Sequence, residues 1–156
     1  MSSQLRAFGS HGVRTADARG QRSLMAWQVL SALFLLAMGG IHLYRALTDV
    51  SGVLGLLFIL NAVGALALAI AMVVLRGRLL LVACVLSVLF IAGTLLSLVL
   101  ALTVGLFGIG ETLHGRLVPT ALVVESIGVV VLLVTIALAV RGRRAGHGSR
   151  TAGTAH

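Results

Sequence analysis

Charge is scarce in this chain, and almost all of it has one sign. Only 10% of the 156 residues are charged, with 12 basic side chains against 4 acidic ones. Soluble domains average about 25% charged residues, so this composition cannot cover a water-soluble fold. Lysine is missing: all twelve basic residues are arginine. Cysteine occurs once, at Cys84, which excludes an intrachain disulfide and reads as a small hydrophobe in an apolar segment. Aromatic residues make up 4% of the chain, and in the basic tails only Phe8 falls among the arginines. The formal charge of +8 therefore does not imply nucleic acid as a partner, because no series of aromatics is placed to stack on bases. There is no Gly-rich phosphate loop, no paired metal-ligand motif and no nucleophile elbow. Metal ligation and hydrolytic catalysis are accordingly not expected.

Apolar residues occupy the space that charge leaves. They account for 59% of the chain, and the mean hydropathy is +1.12. Four long runs stand out, at about 26–44, 53–75, 79–106 and 117–140. A bilayer's hydrocarbon core takes roughly 20 helical residues to cross, so each run is long enough to span it. The expected fold class is all-α, a membrane-spanning antiparallel four-helix bundle. Ten of the twelve arginines fall in three segments: Arg6, Arg14, Arg19 and Arg22; Arg76 and Arg78; Arg141, Arg143, Arg144 and Arg150. Only Arg45 and Arg116 lie in the other two connections. By the positive-inside rule both termini are expected in the cytoplasm of a bacterial plasma membrane. Residues 1–23 and 141–156 read from composition as flexible basic tails, suited to anionic headgroups.

The first run is too long for a signal-peptide core, and no small-x-small site follows Gly39-Gly40-Ile41-His42-Leu43-Tyr44, so it is expected to be retained. Trp27 and Tyr44 near its two ends suit interfacial anchors. Arg76-Gly77-Arg78 makes spans two and three antiparallel neighbours. Pro119 fits the first turn of the fourth helix, where its missing N–H costs nothing.

The polar residues inside the runs share a depth. At ~1.5 Å per residue, Asn61 and Glu125 each lie about 12 Å inside the outer end of their spans, with Thr94 and Ser97 bracketing that level. His42 is a turn nearer the outer surface. The inner half reads as almost wholly aliphatic. Small-residue faces (Asn61, Ala65, Ala69; Gly93, Ser97, Ala101; Ala121, Glu125, Gly128) predict close packing of helices around this layer. Glu125 is the sharpest feature, because an acid near the bilayer centre costs roughly 2.5–3.5 kcal/mol on insertion scales. With no basic partner near it on its helix, it is expected as a neutral acid bonded to Asn61 or Ser97. Leucine at this position would then leave one of those two groups without a partner. The candidate intramembrane polar site is thus Glu125, Asn61, Thr94, Ser97 and His42, with Glu111 and His114 in the outer loop. No cofactor is expected; a haem held by His42 and His114 is the one arrangement the histidines offer.

Three words of the sequence carry a family resemblance: Gly39-Gly40-Ile41-His42-Leu43, Leu57-Phe58-Ile59-Leu60-Asn61-Ala62-Val63 and Gly105-Leu106-Phe107-Gly108-Ile109-Gly110-Glu111. Over roughly residues 25–140 the chain resembles the small four-span integral membrane proteins of actinobacteria, a family with no assigned activity. It is more faintly similar to DoxX-like four-helix proteins, which carry a Gly-x-x-His-like word late in the first span. Neither resemblance implies a catalytic residue. Two functional readings follow. One is a non-enzymatic accessory or assembly-type subunit, acting through helix contacts with further copies of itself or a larger membrane complex. The alternative is a binding or transport unit for a small molecule, a quinone or protons, using the outer polar layer.

Overall fold

The structure, a computed structural model, describes the backbone of residues 2–104 and 117–152 and the side chains of residues 19–104 and 117–144. Four helices account for nearly all of it: α1 (Ser2–Thr48), α2 (Gly52–Val74), α3 (Gly77–Thr103) and α4 (Val118–Ala152). All four are long and apolar enough to cross a membrane, over Arg19–Thr48, Gly52–Val74, Gly77–Thr103 and Val118–Arg144. The 27 residues of α3 reach about 40 Å at the helical rise, more than a hydrocarbon core. The four-helix bundle expected from hydropathy is the fold. Helical backbone also continues into both segments read as flexible tails, starting at Ser2 and ending at Ala152. No proline interrupts either segment.

The links from α1 to α2 and from α2 to α3 are short. After α1, the N–H groups of Asp49 and Val50 both return to the Arg45 carbonyl, at 2.9 and 3.0 Å, which closes the helix before α2 starts. Between α2 and α3 only Leu75 and Arg76 are non-helical, and Gly77 takes a φ of 61°, a left-handed value that a side chain would strain.

The outer surface is aliphatic. Leu33, Leu47, Val53, Leu66, Val74, Leu89 and Val130 are all more than half exposed, a surface suited to lipid and not to water. This is a multi-pass integral membrane protein. Its interior is narrow and built from small residues and methionine (Ala32, Leu35, Met38, Ala65, Ala69, Met72, Ala83, Cys84, Ile91 and Leu132). With lipid as solvent there is little hydrophobic drive between helices, and close backbone approach does the work.

The packing is uneven. Helix α1 packs most extensively on α2, and both α1 and α3 pack well on α4, while α2 and α3 meet least despite their short link. The α1–α2 seam is closest at Gly39, where a Cβ would sit 2.9 Å from Ala65 Cβ and 3.4 Å from the Ala62 carbonyl oxygen. At α1–α4 the Ser31 and Thr135 hydroxyls are 2.9 Å apart. Thr135 donates to the Val131 carbonyl at 2.9 Å and so accepts from Ser31. Near the Arg76 turn, α2 and α3 are held by the Cys84 thiol 3.7 Å from Met72 Sδ. Farther from the turn, Phe90 lies against Gly64, where a Cβ would be 3.0 Å from the ring. Beyond Phe90, residues of both helices line a cavity.

In the half of the bundle nearest the arginine clusters, expected to be almost wholly aliphatic, four polar residues are buried: Gln28 and Ser31 on α1, Ser87 on α3 and Thr135 on α4. One expectation changes, on α3, where Gly93 and Ser97 are exposed instead of packed. The buried face of α3 is Leu80, Ala83, Cys84, Ser87 and Ile91, at helical spacing.

Candidate functional site

The separation of α2 from α3 creates a cavity of about 510 Å³ in the half of the bundle away from the arginine clusters. All four helices line it. Helix α1 contributes His42 and Arg45, α2 contributes Phe58 and Asn61, α3 contributes Phe90, Gly93, Thr94 and Ser97, and α4 contributes Ala121 and Glu125. The five intramembrane residues singled out from sequence depth, Glu125, Asn61, Thr94, Ser97 and His42, therefore surround one space. Glu111 and His114 lie outside the described residues.

Glu125 is 1% exposed, held from one side by α4's own packing. Three residues on, a Cβ at Gly128 would lie 3.3 Å from Ile91 Cδ1 and 3.6 Å from Phe34 Cβ, so α1, α3 and α4 meet tightly just below the acid. Thr94 is placed to hydrogen-bond the carboxyl. The single proton of the Thr94 hydroxyl is directed to the Ile91 carbonyl at 2.8 Å, which leaves its oxygen to accept from the acid, and the oxygen lies 3.6 Å from Met38 Sδ. Among the described residues, no partner reaches Glu125 Oε2. The bond expected from sequence, to Asn61 or Ser97, is not made. Ser97 instead donates to the Gly93 carbonyl of its own helix at 2.9 Å, and Asn61 faces Glu125 across the cavity walls.

His42 stands one turn beyond Met38, with Nδ1 2.9 Å from the Met38 carbonyl oxygen. That contact suits Nδ1 as the protonated nitrogen and leaves Nε2 as the ring's acceptor. The imidazole meets the Phe58 ring edge-on, with centroids 5.1 Å apart and planes at 79°. The Arg45 guanidinium lies 5.4 Å from the same ring's centroid, within cation–π range. Among the described residues no three His, Cys, Asp or Glu side chains gather as a metal site would need. The second ligand of the haem arrangement, His114, is not among those residues.

Arg45, Phe58 and Phe90 were not singled out from the sequence. Arg45 had a legible signal: it follows His42 by three residues and so shares its helical face. Ending the first span at Tyr44 hid it, whereas α1 continues to Thr48. The two phenylalanines gave no signal, since aromatic residues in apolar helices are usually packing.

The cavity has a floor. Leu35 of α1, Ile91 of α3 and Leu132 of α4 are fully buried between the Glu125 level and the Ser31–Thr135 pair. This aliphatic layer separates the two polar levels, so the cavity is a pocket closed at one end. Its open side is the α2–α3 seam, where Leu57, Leu89, Gly93 and Ser97 are exposed.

Comparison with protein-family models, with curated proteins and with solved structures gives no match for this chain.

Proposed function

We propose that this membrane protein binds a small amphiphile, its polar head seated beside Glu125 and its apolar remainder passing between α2 and α3 into the bilayer. The observation that carries this reading is a buried carboxyl oxygen, without a partner among the described residues, in a cavity lined from all four helices. A volume near 510 Å³ falls within the usual range for small-molecule pockets, and a lining of mostly apolar groups with a few convergent polar ones is their usual composition. Asn61 offers both a donor and an acceptor, Glu125 as a neutral acid an O–H donor to a carbonyl oxygen, and Phe58 and Phe90 aromatic walls. A quinone or another flat, oxygen-bearing head suits that set. The aliphatic floor of Leu35, Ile91 and Leu132 favours binding over conduction. An accessory or assembly role uses helix surfaces only and gives no reason for such a cavity. Kinship with the small actinobacterial proteins, or with DoxX-like ones, is proposed on the three sequence words alone.

Gly93 provides the test. It lines the cavity, and a Cβ built on it has nothing within 4 Å. Gly93→Leu is therefore expected to fill the cavity and leave the fold intact. Binding of a decyl-substituted benzoquinone, measured by calorimetry on detergent-purified protein, should weaken roughly tenfold or more, the overpacking penalty falling on the ligand. Equal affinity in the variant would sink the reading. A stoichiometric partner in mild detergent, with no saturable binding, would restore the accessory role.

The ten-to-two division of arginines supports a bacterial plasma-membrane protein with both termini cytoplasmic. On a Cys84→Ser background, a cysteine replacing Ser149 should resist an impermeant maleimide in intact cells and react after lysis. Labelling before lysis would reverse the topology.

A further inference from the structure

We propose a second, separate site: the groove between α3 and α4 at the arginine-rich end binds the headgroup of an anionic phospholipid. Leu81 of α3 and Val140, Arg143 and Arg144 of α4 line a recess of about 290 Å³ there. Val140, Arg143 and Arg144 stand at i, i+3 and i+4, so they present one helical face. Leu81 and Val140 are half-buried, while both arginines are exposed. The apolar stretch of α4 ends at Val140 and charge begins at Arg141, so the recess lies where hydrocarbon gives way to headgroups. A lipid seated there would rest its first methylenes on Leu81 and Val140 and its phosphate on the guanidinium pair. Guanidinium groups match phosphate oxygens two at a time, which a point charge does not.

Two further observations make this groove differ from the other basic positions. Arg76 is engaged by the protein, its Nη1 donating to the Val73 and Leu75 carbonyls at 2.6 and 2.9 Å at the end of α2. Arg78 lies three residues before Leu81 on α3 and so adds charge on the groove's side. Among the described side chains, no acid sits at this end: Asp49 and Glu125 both lie in the opposite half. The two groove arginines thus meet no carboxylate of the described chain, and an anionic lipid supplies the countercharge that a zwitterionic one cancels within itself. The site does not depend on the cavity at Glu125 or on what fills it.

The full-length protein, purified in mild detergent and examined by native mass spectrometry, should retain phosphatidylglycerol in preference to phosphatidylcholine. Each basic residue near an anionic surface contributes about a fivefold factor, so Arg143→Gln with Arg144→Gln should lower retention roughly 25-fold. Arg141→Gln, outside the groove, should change it less than about fivefold. Leu81→Trp, which fills the recess and keeps every charge, should lower retention as well. Four results would overturn the proposal: no preference for the anionic lipid, a loss on Arg141→Gln equal to that of the double variant, retention unchanged by Leu81→Trp, or displacement of the lipid by millimolar inorganic phosphate. The second and third would indicate diffuse attraction, and the last a site for free phosphate.

Discussion

Replacing Glu125 with methionine is expected to stabilise the protein and to abolish ligand binding. The side chain is 1% exposed, and no partner reaches its Oε2 among the described residues. A buried polar atom left unsatisfied costs about 1–3 kcal/mol. Methionine has a similar length and enough freedom to fill the space without a polar atom. The folded state should therefore gain about that 1–3 kcal/mol, read as a higher melting temperature in detergent. Affinity for the benzoquinone probe should fall roughly tenfold or more, because the ligand loses its buried hydrogen-bonding partner. Opposite movements of stability and binding are what a ligand site produces, since a purely structural acid would lower both or neither. Glu125→Gln keeps a donor, in its amide N–H groups, and the shape, so it should retain the fold and most of the affinity. Methionine lowering the melting temperature would mean that the acid holds the bundle together, and the cavity reading would then fail. The sequence alone suggests that an apolar residue here would destabilise the fold by orphaning Asn61 or Ser97. In the structure Ser97 is bonded to Gly93 and does not depend on the acid, so the penalty expected from orphaning it does not arise.

The second large effect is expected at Gly39. A Cβ there would meet Ala65 Cβ at 2.9 Å and the Ala62 carbonyl oxygen at 3.4 Å, so even alanine forces α1 from α2. Both contacts are with backbone or a Cβ, which cannot rotate away. Gly39→Val should cost about 1–3 kcal/mol, the range for overpacking a close seam. Gly40→Ala, with nothing within 4 Å of its Cβ, should be neutral or stabilising by up to about 1 kcal/mol through helix propensity. Thermal unfolding in detergent compares the pair directly. Equal behaviour of the two variants would mean that the α1–α2 seam is not the close contact described. The widening at Gly39→Val should also disturb the cavity, since Met38 beside it touches Thr94 at 3.6 Å.

The sequence by itself determined the class of the protein. Four apolar runs of bilayer length, with every charged residue but Glu125 in the tails and connections, leave only a helical membrane bundle, because backbone groups in lipid must be satisfied within each span. It also determined the depth of the polar residues, since the helical rise is fixed and each span has a recognisable end. That is why Glu125, Asn61, Thr94, Ser97 and His42 could be named as one level before any contact was known. Which face each residue turns inward, and what it meets there, was decided by the tertiary structure. Glycine and serine on α3 read as a packing face, yet they line an open seam, because Phe90 against Gly64 ends the close approach of α2 and α3. Ser31 and Thr135, 104 positions apart, form the hydrogen-bonded pair that sequence depth assigned to Glu125 and Asn61. Arg45 joined the cavity only because α1 runs four residues past Tyr44, to Thr48. Hydropathy reports how far a residue lies along the membrane normal. The rotation of each helix about its axis is set by close contacts of small side chains, which periodicity in an almost uniformly apolar sequence does not encode.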